Sequence, residues 1–273
     1  MKKFKKPDSR QSHRRSDPPR GPRPEPTREV PAGRCVVGIH AVRELLKVRP
    51  ATVDQIWLRD RYQDHQDLKE LQETAQRIGI KITLKNPTVL DRVVSAHQGI
   101  LAFTQDQPEL DWDAIKTAER ACIIALDEVE DPHNVGAILR TAWLFGADAV
   151  LVPELRAAHL SPAVSKVAQG AVEHVPLVRE QAMAEQLRDL KDMGFWILGM
   201  SHKAKQDLFS LEIPQKVVWV LGSESSGLRK SIEGACDDLI RIPQKNPEAS
   251  YNVSVAAAVA MAQTFQAHAL LKG

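Results

Sequence analysis

Apolar residues along the chain switch between two spacings. Over Gly38–Val48, Ile39, Val42, Leu45 and Leu46 recur at helical intervals, and Asp54–Leu58 reads as a strand. Asp64–Ile78 is amphipathic and stops at Gly79; Ile80–Leu84 alternates as a strand, Pro87–Ser95 is helical, and Gly99–Thr104 is a third strand. Gln105–Glu119 is polar, acidic and broken by Pro108, so it reads as a linker. Beyond it the spacings give strand Ala121–Leu126, helix Val135–Phe145 opened by Asn134 and ended by Gly146, strand Ala149–Val152 and helix Pro162–Gln169. A strand near His174–Val178, helix Gln181–Asp192 and strands Phe195–Met200, Lys216–Leu221 and Asp238–Ile242 follow. The last element, Val253–Ala262, is Ala-rich and almost entirely apolar. Ala favours helix, and a helix without a polar face is buried on most sides, in a core or an interface.

Strands alternating with helices predict an α/β fold with a mostly parallel sheet covered on both faces. The expected organisation is a basic arm over 1–34, a small α/β unit over 35–107, a linker over 108–119 and a larger unit over 120–273. The arm holds seven of the seventeen prolines, and eleven Lys or Arg against four acids give it a net +7, so the remainder carries −5. It cannot bury enough apolar surface to offset its ordering entropy, so it is expected to be disordered and to find nucleic acid by phosphate charge. The small unit shows no cluster of catalytic residue types and is expected to bind. Cys35, Cys122 and Cys236 fit neither a disulfide framework nor a zinc spacing, and no metal is expected. No apolar run is long enough to cross a bilayer, and the basic N-terminus has no apolar stretch behind it, so a cytoplasmic setting is expected.

Candidate chemistry sits in three loops, each following a strand. Asn134 opens the first helix of the larger unit; Arg140 lies off its apolar stripe and leans back over Gly136, whose missing side chain would let the guanidinium face the loop. Gly222-Ser223-Glu224-Ser225-Ser226-Gly227-Leu228 follows the strand ending at Leu221. A dinucleotide fingerprint needs Gly where Glu224 stands, a phosphate loop needs Lys and Ser or Thr where Leu228 and Arg229 stand, and Glu224 would repel a phosphate. A neutral or cationic adenosine ligand remains compatible. Ser250-Tyr251-Asn252 closes the third loop and can cap the helix behind it. Carboxyl ends of parallel strands are where open α/β sheets bind ligands.

Asn134-Val135-Gly136-Ala137-Ile138-Leu139-Arg140-Thr141-Ala142, Leu221-Gly222-Ser223-Glu224-Ser225-Ser226-Gly227-Leu228 and Ser250-Tyr251-Asn252-Val253-Ser254-Val255-Ala256 resemble, in order, the three motifs of the SpoU (TrmH-type) RNA ribose 2′-O-methyltransferases. Residues 35–107 resemble the RNA-binding domain that precedes the catalytic domain in the rRNA guanosine branch. The resemblance implies a C-terminal trefoil knot, an S-adenosylmethionine site, a homodimer, and rRNA or tRNA as substrate. It implies cofactor contacts at Leu221, Gly222, Ile242, Tyr251 and Asn252, and active-site roles for Asn134, Arg140, Glu224, Ser250 and Asn252. Arg140 would serve as base or as phosphate clamp, and a guanidinium that stays protonated far above neutral pH suits the clamp more easily. The chain departs from the family pattern at Ser225, Gln244, Asn246 and Tyr251, all in or near the cofactor loops. The alternative is a non-catalytic RNA-binding protein of the same fold.

Overall fold

The computed structural model describes residues 30–105, 107–155, 157, 160–246 and 249–270. Residues 1–29, where the basic arm is expected, lie outside them.

Strands β1 (Arg34–Val37), β2 (Val53–Arg59), β3 (Lys81–Lys85) and β4 (Ile100–Thr104) form one sheet in the order β1-β4-β2-β3. β4 is antiparallel to both neighbours, and β2 and β3 are parallel. Side chains alternate across the sheet. Ile56 and Leu58 pack with Leu45 of helix α1 (Ile39–Val48) and Leu68 of α2 (Gln66–Arg77); Trp57 turns to the other face, with Phe103 and Leu90 of α3 (Pro87–Val93). β1 was not expected. Its four residues are too few for a periodic signal, and Arg34 was counted with the charged arm.

The second sheet contains β5 (Ala121–Asp127), β6 (Ala149–Pro153), β7 (Leu177–Glu180), β8 (Trp196–Met200), β9 (Gln206–Asp207), β10 (Lys216–Gly222) and β11 (Asp238–Arg241). Their order is β7-β6-β5-β10-β8-β11-β9, and every pairing is parallel. Ile124, Leu126, Trp219 and Leu221 face α5 (Pro132–Phe145), α6 (Pro162–Ala168) and α9 (Val253–Leu270). Ile123, Ala125, Val218 and Val220 face α4 (Trp112–Thr117), α7 (Met183–Asp192) and α8 (Lys230–Glu233). Burial on both faces explains why these strands read as continuous apolar runs.

Several local expectations are revised. The polar stretch 108–119 contains α4, capped by Asp111 Oδ1 on the Ala114 amide at 3.0 Å and anchored by buried Ile115. α5 starts at Pro132, because Asp131 caps the His133 amide at 2.9 Å and proline pre-sets the first helical φ. Asn134 therefore lies inside the first turn. Gly136 serves packing rather than Arg140: a Cβ there would stand 2.6 Å from Cβ of Val167, so α6 approaches α5 at this point. α9 runs to Leu270 and is buried along one stripe only, Val253, Ala257, Ala260, Met261 and Thr264, leaving Val255 and Phe265 exposed.

The smaller sheet docks on the larger through polar groups taken out of water. Arg34 grips Glu173 with two bonds, at 2.6 and 2.7 Å, and the Glu173 side chain is only 1% exposed. Arg49 Nε stands 3.7 Å from the same carboxylate. Glu44 of α1 meets His174 at 2.9 Å, and His174 stacks on Trp143 of α5 with centroids 4.3 Å apart. Removing one partner of a buried pair strands the other charge. Glu173→Ala is therefore expected to cost about 3–5 kcal/mol, read as a lower urea midpoint; an unchanged midpoint would refute the role given to this pair.

Burial pushes the thiols of Cys35, Cys122 and Cys236 up to about 12, and all three are free. They hold almost no thiolate near neutral pH and are poor nucleophiles there. Iodoacetamide at pH 8 should leave buried Cys122 unmodified in the native protein, label the partly exposed Cys35 and Cys236 slowly, and alkylate all three in denaturant; rapid native labelling would contradict the raised thiols.

Candidate active site

Strand order reverses between β5 and β10, and the carboxyl ends of β5, β10 and β11 deliver three loops to one edge of the sheet. Asn134, 9% exposed, comes from the first turn of α5, directly after the first loop, Glu224 from the second loop and Asn252 from the third. They form a closed network. The Asn252 amide donates to Asn134 Oδ1 at 3.0 Å and to Glu224 Oε1 at 2.7 Å, and the Asn134 amide donates to Glu224 Oε1 at 3.1 Å. Asn252 Oδ1 accepts from the Ser254 amide at 2.9 Å and its hydroxyl at 2.6 Å, capping α9. Reversing either amide would turn its oxygen onto the Glu224 carboxylate, so the network sets both amide orientations.

A cleft of about 480 Å³ opens beside this network, lined by Leu221, Gly222, Glu224, Ile242, Ser250 and Tyr251 among others. Its volume lies in the range that encloses small-molecule ligands. Gly222 is required by close approach: a Cβ there would stand 2.2 Å from the carbonyl carbon of Gly227. The turn it closes is held by Ser223, whose hydroxyl meets that of Ser226 at 2.7 Å and whose carbonyl accepts from the Gly227 amide at 2.9 Å. Gly227 takes φ +69, whereas Ser225 is not among the residues at positive φ, so serine at 225 costs no backbone strain. The Gln244 amide donates to the carbonyls of Asn246, at 2.9 Å, and Ala249, stapling the third loop. Tyr251 donates its hydroxyl to Pro243 O at 3.3 Å.

Sequence reading missed a second tie. Asp127, fully buried at the end of β5, accepts from the Arg229 amide at 2.8 Å and from its Nε at 2.7 Å, clamping the far end of the β10 loop. The two residues lie 102 positions apart, so no local pattern could have found it.

The structure thus brings together Asn134, Glu224 and Asn252, and sets Leu221, Gly222, Ile242, Ser250 and Tyr251 around the adjoining cleft. Ser250 is exposed and makes none of the network bonds. It does not bring Arg140 to them within the chain. Arg140 is exposed on α5, and its guanidinium is absent from the bonds of the network and from the lining of the cleft.

The all-parallel α/β sheet joined to a small α/β sheet has the fold of the SpoU methyltransferase AviRb from Streptomyces viridochromogenes. That structure, solved in complex with AdoMet, superposes with a TM-score of 0.73 at 20% identity, covering 88% of this chain and 91% of AviRb. The chain belongs to the SpoU rRNA Methylase family, which residues 121–262 match; residues 35–110 match the RNA 2′-O ribose methyltransferase substrate binding family. The 23S rRNA (guanosine-2′-O-)-methyltransferase RlmB of Nitrosomonas europaea is 36% identical over 87% of this chain and 93% of its own length. RlmB of Photobacterium profundum is 38% identical over 83% and 94%.

Gly222→Ala must displace the Gly227 backbone. It is expected to cost about 1–3 kcal/mol. Thermal unfolding measures this, and an unchanged Tm would mean that the turn is looser than its geometry.

Proposed function

We propose that the protein is an S-adenosylmethionine-dependent methyltransferase that methylates a ribose 2′-hydroxyl in large-subunit ribosomal RNA. The observation that carries this reading is the Asn134–Glu224–Asn252 network at the mouth of a ligand-sized cleft, in a chain whose full-length relatives are named for that reaction. The cleft fits the cofactor. Its mixed apolar and polar walls suit an adenosine, the tight Gly222–Gly227 turn forms part of its lining, and Glu224 complements a positive charge. When bound, S-adenosylmethionine supplies a methyl group on a positively charged sulfur.

The chain's own residues then have separable tasks. Leu221, Gly222, Ile242 and Tyr251 hold the ligand in the cleft. Asn134 and Asn252 occupy Oε1 of Glu224 and set the direction of its carboxylate. Ser250 faces the ribose from the third loop. Arg140 grips a phosphate next to the target nucleotide and orients the 2′-hydroxyl. Orientation of this kind contributes several kcal/mol.

Arg140 reaches such a site from a second copy of the chain. Ala137, Arg140, Thr141 and Leu144 follow one face of α5 at helical spacing. Ala137, Thr141 and Phe145 line an apolar groove with Val255, Ala258 and Val259 of α9, while Leu144 is 67% and Phe265 53% exposed. An exposed apolar face of this kind marks an interface, and a two-fold pairing buries it on itself. Each Arg140 then enters the partner's site. The knot is supported by chain order: β11 lies beyond β8, yet α9 returns across β10, where Trp219 donates to Thr264 at 2.8 Å. The fold family is the ground for proposing it, because knots are rare. Among the described residues no helix is long and apolar enough to cross a membrane. A ribosomal RNA substrate accords with a cytoplasmic setting.

Methyl transfer from labelled S-adenosylmethionine to a 23S rRNA transcript, followed by nucleoside mass spectrometry, tests the reading. A 2′-O-methylated nucleoside is expected. Arg140→Ala should lower kcat by about 10²-fold or more while light scattering still finds a dimer. RNA binding without detectable affinity for S-adenosylhomocysteine at millimolar concentration would instead identify a non-catalytic RNA-binding protein.

A further inference from the structure

Three arginines of the smaller sheet and its helices have a counter-charge. Arg34 and Arg49 meet Glu173, and Arg43 meets Asp67 at 2.6 Å. Arg59 differs. It closes β2, its Nε is buried without a hydrogen bond, and among the described residues no carboxylate stands within ion-pair distance of it. Leaving a buried N–H unmet is costly, and a charged group raises the cost. Arg59 also has a fixed scaffold. Its backbone amide donates to Gly99 O at 2.9 Å, and its Cδ lies 2.8 Å from where a Cβ of Gly99 would stand, so glycine there makes room for the stem.

A second cation stands beside it. Arg59 pairs in parallel register with Lys85, the last residue of β3. The ammonium of Lys85 rests 4.6 Å from the centroid of the Trp57 ring, which steadies the stem without neutralising the charge. Arg61 follows in the next turn, exposed, and Asp60 between them forms an ion pair with neither arginine. Two uncompensated cations at the carboxyl ends of neighbouring parallel strands, one with an unmet N–H, call for an anion.

We infer that Arg59 and Lys85, flanked by Arg61, form a phosphate-binding site through which the smaller sheet grips the backbone of the substrate RNA. The inference rests on the reading of this protein as an RNA methyltransferase, which makes the polyanion a nucleic acid. A phosphate oxygen completes the hydrogen bonding of the Arg59 fork, and Lys85 adds a point charge.

The test measures binding of a 23S rRNA transcript to the full-length protein across a salt series, with S-adenosylhomocysteine affinity measured in parallel. Arg59→Gln/Lys85→Gln should weaken RNA binding about tenfold or more at low salt and flatten the slope of log affinity against log salt by about 1 to 2. S-adenosylhomocysteine affinity should not move. A control, Arg188→Gln/Lys116→Gln, removes the same charge elsewhere and should leave the slope nearly unchanged. An unaltered slope in the first variant, or an equal change in the control, overturns the site while the methyltransferase reading stands. Wild-type protein that binds neither RNA nor S-adenosylhomocysteine overturns both.

Discussion

One carboxylate oxygen ties the site together. Oε1 of Glu224 accepts amide bonds from residues 90 positions before it and 28 positions after it, and those two amides bond to each other across 118 positions. Hydrogen bonds to a charged group contribute about 1.5–3 kcal/mol each. Ordering a single loop residue costs about 1–2 kcal/mol. The network alone therefore offsets the ordering of only a few residues. The loops are held mainly because their ends are buried: Leu221 is the penultimate residue of β10, Ile242 directly follows β11, and Val253 opens α9 in the same core. Packing positions the loops, and the network selects one arrangement among those that packing allows.

The second tie, Asp127 to Arg229, applies the same logic to a buried charge. A carboxylate with no exposure at the end of a strand needs a cation, and Arg229 supplies two bonds from beyond the turn that Gly222 makes possible. Next to it, Glu128 takes φ +59, a conformation that costs a non-glycine residue energy and collects at functional sites. Its carboxylate stands 3.6 Å from Arg229 Nη1. The β5 and β10 loops are thus fixed at both ends, by Asn134–Glu224 near the cleft and Asp127–Arg229 behind it.

Much of this was legible in the sequence where a signal was long or repeated. Strands β5 and β10 are apolar on both faces, α5 carries a clear stripe, and three polar loops recur in a fixed order after strands. Short elements gave no such signal: β1, β9, α4 and α8 span two to six residues and owe their form to neighbours remote in sequence. Gly136 illustrates a subtler limit. A glycine four residues before Arg140 suggested room for a guanidinium, but its position is set by Val167 of another helix. The apolar run of α9 indicated burial, yet one chain covers only half of it. Sequence reports that a surface is apolar and leaves open which molecule covers it.

That uncovered half carries the remaining argument. Arg140 shares its face of α5 with Ala137, Thr141 and Leu144, apart from the network that its own helix helps to build. The account requires a complete site to draw its network from one protomer and its arginine from another. Subunit mixing tests this directly. Arg140→Ala and Glu224→Ala proteins, each inactive alone, are unfolded, combined in equal amounts and refolded, and methyl transfer is measured. If the arginine crosses the two-fold axis, each mixed dimer contains one intact site, and statistical pairing restores about a quarter of wild-type activity. Mixed dimers that form but remain inactive would place Arg140 in its own chain's site and contradict the account.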